Sequence, residues 1–124
     1  MKEKITTNAA PKADNVLSQA IVSNNVVYVA GQIHALPDNT LIEGSTEDKM
    51  DQIMKNISAI LEAANAKLDD IVKVVIYVTD MTLMSEINEV YPGYFNDPYP
   101  VREAVCVKAL PLGASIEISV VASR

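Results

Sequence analysis

The chain has 124 residues, 49% hydrophobic and 21% charged, with a net charge of −6 at pH 7 and a pI near 4.6. That length fits one domain spanning residues 1–124 and able to bury its own core, and no segment is long and apolar enough to span a bilayer. The acidic balance opposes a phosphate backbone, so neither a membrane nor nucleic acid is an expected partner.

The opening stretch, "MKEKITTNAAPKADN", lacks the apolar run of a secretory signal and the Arg-rich, acid-poor character of a mitochondrial presequence. A cytoplasmic location is expected, or a mitochondrial one where a presequence has been removed. From Ser18, "SQAIVSNNVVYVAGQ" gives two extended runs around Asn24-Asn25, a pair that tolerates positive φ and suits a tight hairpin. Gly31 to Gly44, with Pro37, Asp38 and Asn39, then reads as a loop. Ser45 and Asp48 resemble a capping box, and Met50, Ile53, Met54, Ile57, Ile60, Leu61 and Ala64 keep helical spacing up to a left-handed stop at Asn65.

"IVKVVIYVT" follows as a strand in which Val72, Val74, Ile76 and Val78 alternate with Lys73, Val75, Tyr77 and Thr79. A second helix is predicted from Asp80 or Thr82, with Leu83, Ile87, Val90, Tyr91 and Tyr94 on one stripe and Pro92 shortening it. Two final strands, roughly Val101 to Lys108 and Ser115 to Ala122, are joined by a turn around "ALPLGA" and read as a closing hairpin. The order predicts an α+β fold with two helices on one face of a mixed sheet. Val75, Tyr77, Ala104 and Cys106 are assigned to the other face, whose exposure would leave a sizeable apolar patch, so a second subunit is expected to cover it.

A single cysteine, Cys106, excludes an intramolecular disulfide and a cysteine-based zinc site. With one histidine, His34, no structural metal is expected. The ten basic residues are eight lysines and two arginines, and the only internal arginine, Arg102, lies inside a predicted strand, as does Glu117. The ordinary readings are a rim salt bridge for Arg102 and a solvated strand position for Glu117. If a subunit interface covers them, each buried charge must instead find a partner or a ligand, and arginine is the residue suited to gripping a carboxylate with two parallel hydrogen bonds.

Five segments in order, "SQAIVSNNVVYVAGQI", "LDDIVKVVIYVTDM", "INEVYPGYF", "YPVREAV" and "LPLGASIEISVVA", resemble the RidA/YjgF reactive-intermediate deaminases across nearly the whole chain. The resemblance implies a chorismate-mutase-like α+β subunit, a homotrimer with sites in the clefts between subunits, and no metal or organic cofactor. It implies hydrolysis of 2-imino acids such as 2-iminopropanoate and 2-iminobutanoate, and of their enamine tautomers, to 2-oxo acids and ammonia. By position it makes Arg102 the ligand of the substrate carboxylate and Glu117 the group that handles the attacking water. It also makes Gly31 a site of backbone approach, Asn88 a neighbour of the site, and Ala104 a backbone contact to substrate.

The chain departs from the family pattern where a Gly-Pro-Tyr triplet is usual, since Asn15-Val16-Leu17 stands there and Leu17 takes the place of the pocket tyrosine. A non-catalytic trimer that binds small carboxylates or a protein partner is the alternative this departure keeps open. His34 replaces the usual proline after "GQI" and reads most simply as a loop histidine without a chemical role. Cys106 reads as a small packing residue, because the position of the family's site cysteine is Ala104. Ribonuclease activity, sometimes attached to the family, is disfavoured by the acidic charge and by the lack of a histidine pair.

Overall fold

The computed structural model describes all 124 residues. Strands β1 (Glu3–Ile5), β2 (Ala20–Ser23) and β3 (Val26–Ile33) precede helix α1 (Thr46–Ala63), and β4 (Ile71–Val78), α2 (Met84–Val90), β5 (Val101–Cys106) and β6 (Ile116–Ser123) follow it. The six strands form one sheet in the order β1-β2-β3-β6-β4-β5. Both helices share one face, over a core that includes Val27, Ile57, Ile60, Leu61, Ile76, Ile87, Ile116 and Ile118. No helix is long and apolar enough to cross a membrane.

Local chemistry sets the first half. Asn24 and Asn25 take φ values of 52° and 63°, the left-handed geometry that a two-residue hairpin needs. The Ser45 hydroxyl accepts from the Asp48 N–H and the Asp48 carboxylate accepts from the Ser45 N–H, closing the capping box. Asn65 ends the α1 region at φ 60°. Tyr91 begins a 3-10 turn with Pro92 in its first positions, so proline shortens α2 to seven residues.

The structure corrects several expectations. β5 and β6 are not a hairpin: β5 pairs in parallel with β4, and β6 lies between β3 and β4, antiparallel to both. The physical reason is that α2 returns the chain to the start of β4, where a parallel neighbour is the natural continuation. Val72 does not join the inner face but is exposed. Opposite β6, β4 advances two residues from Ile71 to Lys73 while β6 advances one, and this bulge turns both Ile71 and Val74 inward. The predicted loop begins after Ile33, because β3 continues through Gly31. A short strand, β1, also pairs with β2; with only Ile5 buried among its three residues, it carries no alternating signal.

The parallel pairing also reverses the face assigned to part of β5. Arg102 and Ala104 stand opposite Val74 and Ile76, and Cys106 opposite Val78. These β4 residues are all buried under the helices, so Arg102, Ala104 and Cys106 lie on the helix side of the sheet. Val75 and Tyr77 do lie on the open face, with Glu103 and Val105. β5 is an edge strand exposed along its length, and Cys106 is exposed rather than packed.

Candidate active site

Glu117 sits midway along alternating positions of β6, where Ile116 and Ile118 turn into the core. Its carboxylate therefore projects from the open face. Here β3 advances three residues, from Val29 to Gln32, while β6 advances two, from Val120 to Ile118. The resulting bulge brings Gly31 against Glu117. A methyl group at Gly31 would overlap Glu117 Oε2 and stand 2.8 Å from its Cδ, so a side chain there would displace the Glu117 carboxylate from its place.

Glu117 and Gly31 share a cavity of about 200 Å³ with Leu17, Ile33, Leu112 and Asn39. Glu117 takes part in no ion pair and is half-buried. Burial pushes its carboxyl above the usual value of 4.5, since a desolvated carboxylate without a cation is disfavoured.

Arg102 occupies the other half of the molecule. Its Nη1 donates to Asn88 Oδ1 at 2.8 Å, and its guanidinium carbon lies 4.8 Å from the centre of the Tyr91 ring. α2 and the turn after it thus supply a neutral seat made of a carbonyl oxygen and an aromatic face. Arg102 enters none of the three ion pairs, which join Lys12 to Asp14, Lys73 to Glu103 and Arg124 to Glu3. Its charge is held in place but not neutralised.

The two halves do not meet within one protomer. Arg102 is level with Val74, which pairs with Val120, and Glu117 lies three residues further along β6 and two strands away. Strand geometry puts their Cα atoms roughly 14 Å apart, on opposite faces of the sheet. The closing hairpin predicted for these two strands, and the open face assigned to Ala104 and Cys106, which Arg102 shares by alternation, are thereby overturned. Gly31 and Leu17 group with Glu117, whereas Asn88 and Ala104 group with Arg102.

His34 lies in the loop directly after β3, as the sequence suggests, and is 1% exposed. Nδ1 lies 2.8 Å from the Ile42 carbonyl, and Nε2 lies 3.1 Å from the Ser115 N–H. A carbonyl only accepts and an amide N–H only donates, so Nδ1 carries the proton and the ring is neutral. Burial is the main cause holding its pKa below the ordinary value, although the Ile42 carbonyl opposes it. The ring ties the loop after β3 to the entrance of β6, two residues before Glu117.

Sequence reasoning missed Tyr91 as a support for Arg102, because its place on the apolar stripe of α2 marks it only as core. It also missed Leu112, for which "LPLG" signals a turn but not the direction of a side chain.

A family model described as Endoribonuclease L-PSP matches residues 7–124. Protein HMF1 of Saccharomyces cerevisiae is 43% identical over 120 residues, covering 97% of this chain and 93% of its own. The chloroplastic Reactive Intermediate Deaminase A of Arabidopsis thaliana is 38% identical over 123 residues, covering 98% of this chain and 66% of its own. Among solved structures, E. coli TdcF with bound serine superposes with a TM-score of 0.90 at 31% identity, covering 98% of each chain.

Proposed function

The chain belongs to the YjgF/RidA family, and from that premise we propose that it is an imine deaminase whose site is completed between copies of the subunit. The observation that carries this reading is the pair of uncompensated charges: Arg102 is seated by neutral groups and Glu117 is desolvated without a cation. An arginine prepared without a carboxylate partner suits a substrate carboxylate. A carboxylate whose pKa is raised by burial is a stronger base than a solvated one, which suits taking a proton from water. A relative named as a reactive intermediate deaminase and a structural neighbour holding serine, itself a small amino carboxylate, favour the same substrate class.

In this mechanism Arg102 of one copy grips the carboxylate of a 2-imino acid, with the Ala104 backbone alongside and Asn88 fixing the guanidinium. Glu117 of the adjacent copy takes a proton from water as the water oxygen bonds to the imine carbon, and passes that proton to the nitrogen, which has received the C=N π electrons. Glu117 then takes the hydroxyl proton of the resulting carbinolamine and delivers it to the nitrogen as the C–N bond breaks, which expels ammonia, leaves the 2-oxo acid and restores the carboxylate. No redox partner is required. Gly31 leaves the room in which the Glu117 carboxylate stands. Because the two charges lie on opposite faces, the contact is heterologous, and a closed ring, here a homotrimer, satisfies it without leaving open ends. The open face, with Tyr28 and Val105 exposed, supplies apolar area for that contact.

Ribonuclease chemistry is not favoured. The chain is acidic, and both nitrogens of its only histidine are engaged by the backbone. The test is ammonia release from an imine generated in situ, together with the mass of the native assembly. Release above the uncatalysed rate that is lost in Arg102→Ala, from a species of trimer mass, is the expected result. A binding protein without turnover is the alternative outcome.

A further inference from the structure

The cavity around Glu117 has an apolar rim that the deaminase reading does not by itself require. Leu17 is 47% exposed and Leu112 is 63% exposed, and both line the cavity with Ile33, Pro11 and Pro111. Large aliphatic side chains left this exposed at the mouth of a cavity lose contact area that burial would recover. Leu112 is also held at φ 59°, ψ 16°, left-handed backbone that a bulky side chain rarely adopts. Backbone strain of this kind persists where the surrounding structure imposes it, and it concentrates at binding sites. The neighbouring Pro111 and Gly113, the latter at φ 77°, define the turn that presents Leu112.

We propose that Leu17 and Leu112 form a pocket for the side chain of the substrate and select 2-imino acids with branched aliphatic side chains over the imine of alanine. The inference rests on the deaminase reading. With the carboxylate on Arg102 and the imine carbon beside Glu117, the substituent on that carbon enters the cavity shared by Glu117, Leu17 and Leu112. Lys12, Gln32 and Asn39 also line the cavity, but the rim formed by Leu17, Ile33, Leu112 and the two prolines offers a substituent only apolar contact. A methyl group fills little of a cavity of about 200 Å³, whereas an isobutyl group reaches the leucines.

The test compares imines made in situ by D-amino-acid oxidase from D-alanine and D-leucine, which works because the imine has lost the stereocentre. An extra methylene in an apolar pocket is worth roughly tenfold, so kcat/KM for the leucine-derived imine should exceed that for the alanine-derived imine by at least about tenfold. Leu17→Ser and Leu112→Gly should each pull that ratio towards one. Leu112→Gly also removes the strained side chain at a position where glycine is at ease, so a lower ratio in a variant with native thermal unfolding isolates contact with substrate from damage to the fold. Equal or reversed preference in the wild type, or an unchanged ratio in both variants, overturns the proposal. If neither imine is turned over, the deaminase reading fails, and calorimetry decides the pocket on its own. Tighter binding of 4-methyl-2-oxopentanoate than of pyruvate, by about tenfold, upholds it, and equal binding overturns it.

Discussion

His34 and Glu117 lie at neighbouring points of the same seam between β3 and β6, yet they are treated in opposite ways. The imidazole is fully buried and each ring nitrogen has a backbone partner. The carboxylate is half-buried beside a glycine that makes room for it, with no cation. The arginines repeat the contrast: Arg124 donates to the Ala64 carbonyl at 2.6 Å and pairs with Glu3 at 3.7 Å, whereas Arg102 has only neutral support. Buried polar groups in a scaffold are satisfied because orphans are costly. On the proposed reading, the charges left uncompensated but held in place are the ones that meet the substrate.

The largest expected effect comes from Glu117→Gln, which preserves shape but not the proton acceptor. Turnover of a 2-imino acid should fall about 10²- to 10⁴-fold. Stability should move the other way. A carboxyl whose folded pKa is raised contributes stability when protonated, fully below its ordinary value of 4.5, and loses it as pH rises through the folded value. At pH 7 the ionised group is thus a cost, so the variant should melt higher than the wild type, with the gain shrinking as pH falls towards 4.5. Paired steady-state assays and melting curves check this, and unchanged turnover would remove Glu117 from the mechanism.

Arg102→Ala comes next. Losing a charge-assisted bidentate contact should lower kcat/KM by about 2–5 kcal/mol, and Arg102→Lys should recover little because an ammonium lacks the planar fork. Calorimetric binding of pyruvate separates the two charges: it should weaken with either change at Arg102 and survive Glu117→Gln. Equal loss in both variants would mean that the division of labour between capture and proton transfer is wrong.

On the scaffold side, His34→Ala leaves the Ser115 N–H and the Ile42 carbonyl without partners. At about 1–3 kcal/mol for each part-buried orphan, it should destabilise the fold by about 2–6 kcal/mol in urea unfolding. Because the folded pKa lies below the ordinary value of 6.5, the wild type should hold this contribution in full above about pH 6.5 and lose it progressively as pH falls. His34→Ala should flatten that pH dependence. If it left stability untouched and abolished turnover instead, the contrast between His34 and Glu117 would collapse.

The same contrast explains what the sequence could and could not convey. The Asn24-Asn25 hairpin, the Ser45–Asp48 box and the proline-shortened α2 were legible because each is decided by residues within one turn of one another. The Arg102 environment was not, because the insertion of β6 between β3 and β4 is decided by packing across the whole chain. Alternation in β5 shows that Arg102, Ala104 and Cys106 share a face but not which face it is, and the wrong neighbour gives the wrong answer. Gly31 reads in the sequence as the start of a loop rather than as a residue of β3, because the bulge that sets it against Glu117 adds one residue to β3 and leaves no mark in composition.

The smallest effect is expected at Tyr91, where both kinds of region meet. Its ring is 7% exposed, packs against Phe95 with centroids 4.9 Å apart, and carries the Arg102 guanidinium on its face. Its hydroxyl is buried without a hydrogen-bond partner, a cost the scaffold elsewhere avoids. Tyr91→Phe removes that orphan and keeps the face, so the fold should gain up to about 1 kcal/mol, and the affinity for a 2-oxo acid should follow the retained ring. Tyr91→Leu keeps an apolar side chain but removes the π face, and should weaken 2-oxo acid binding by about 0.5–2 kcal/mol beyond whatever it costs in stability. Calorimetry and melting of the two variants side by side distinguish the cases. Matched losses of affinity in Phe and Leu would shift the anchoring of Arg102 from the ring to the hydroxyl, whereas a loss in Leu alone places Tyr91 with Asn88 as the neutral seat that keeps an unpaired arginine ready for an anion.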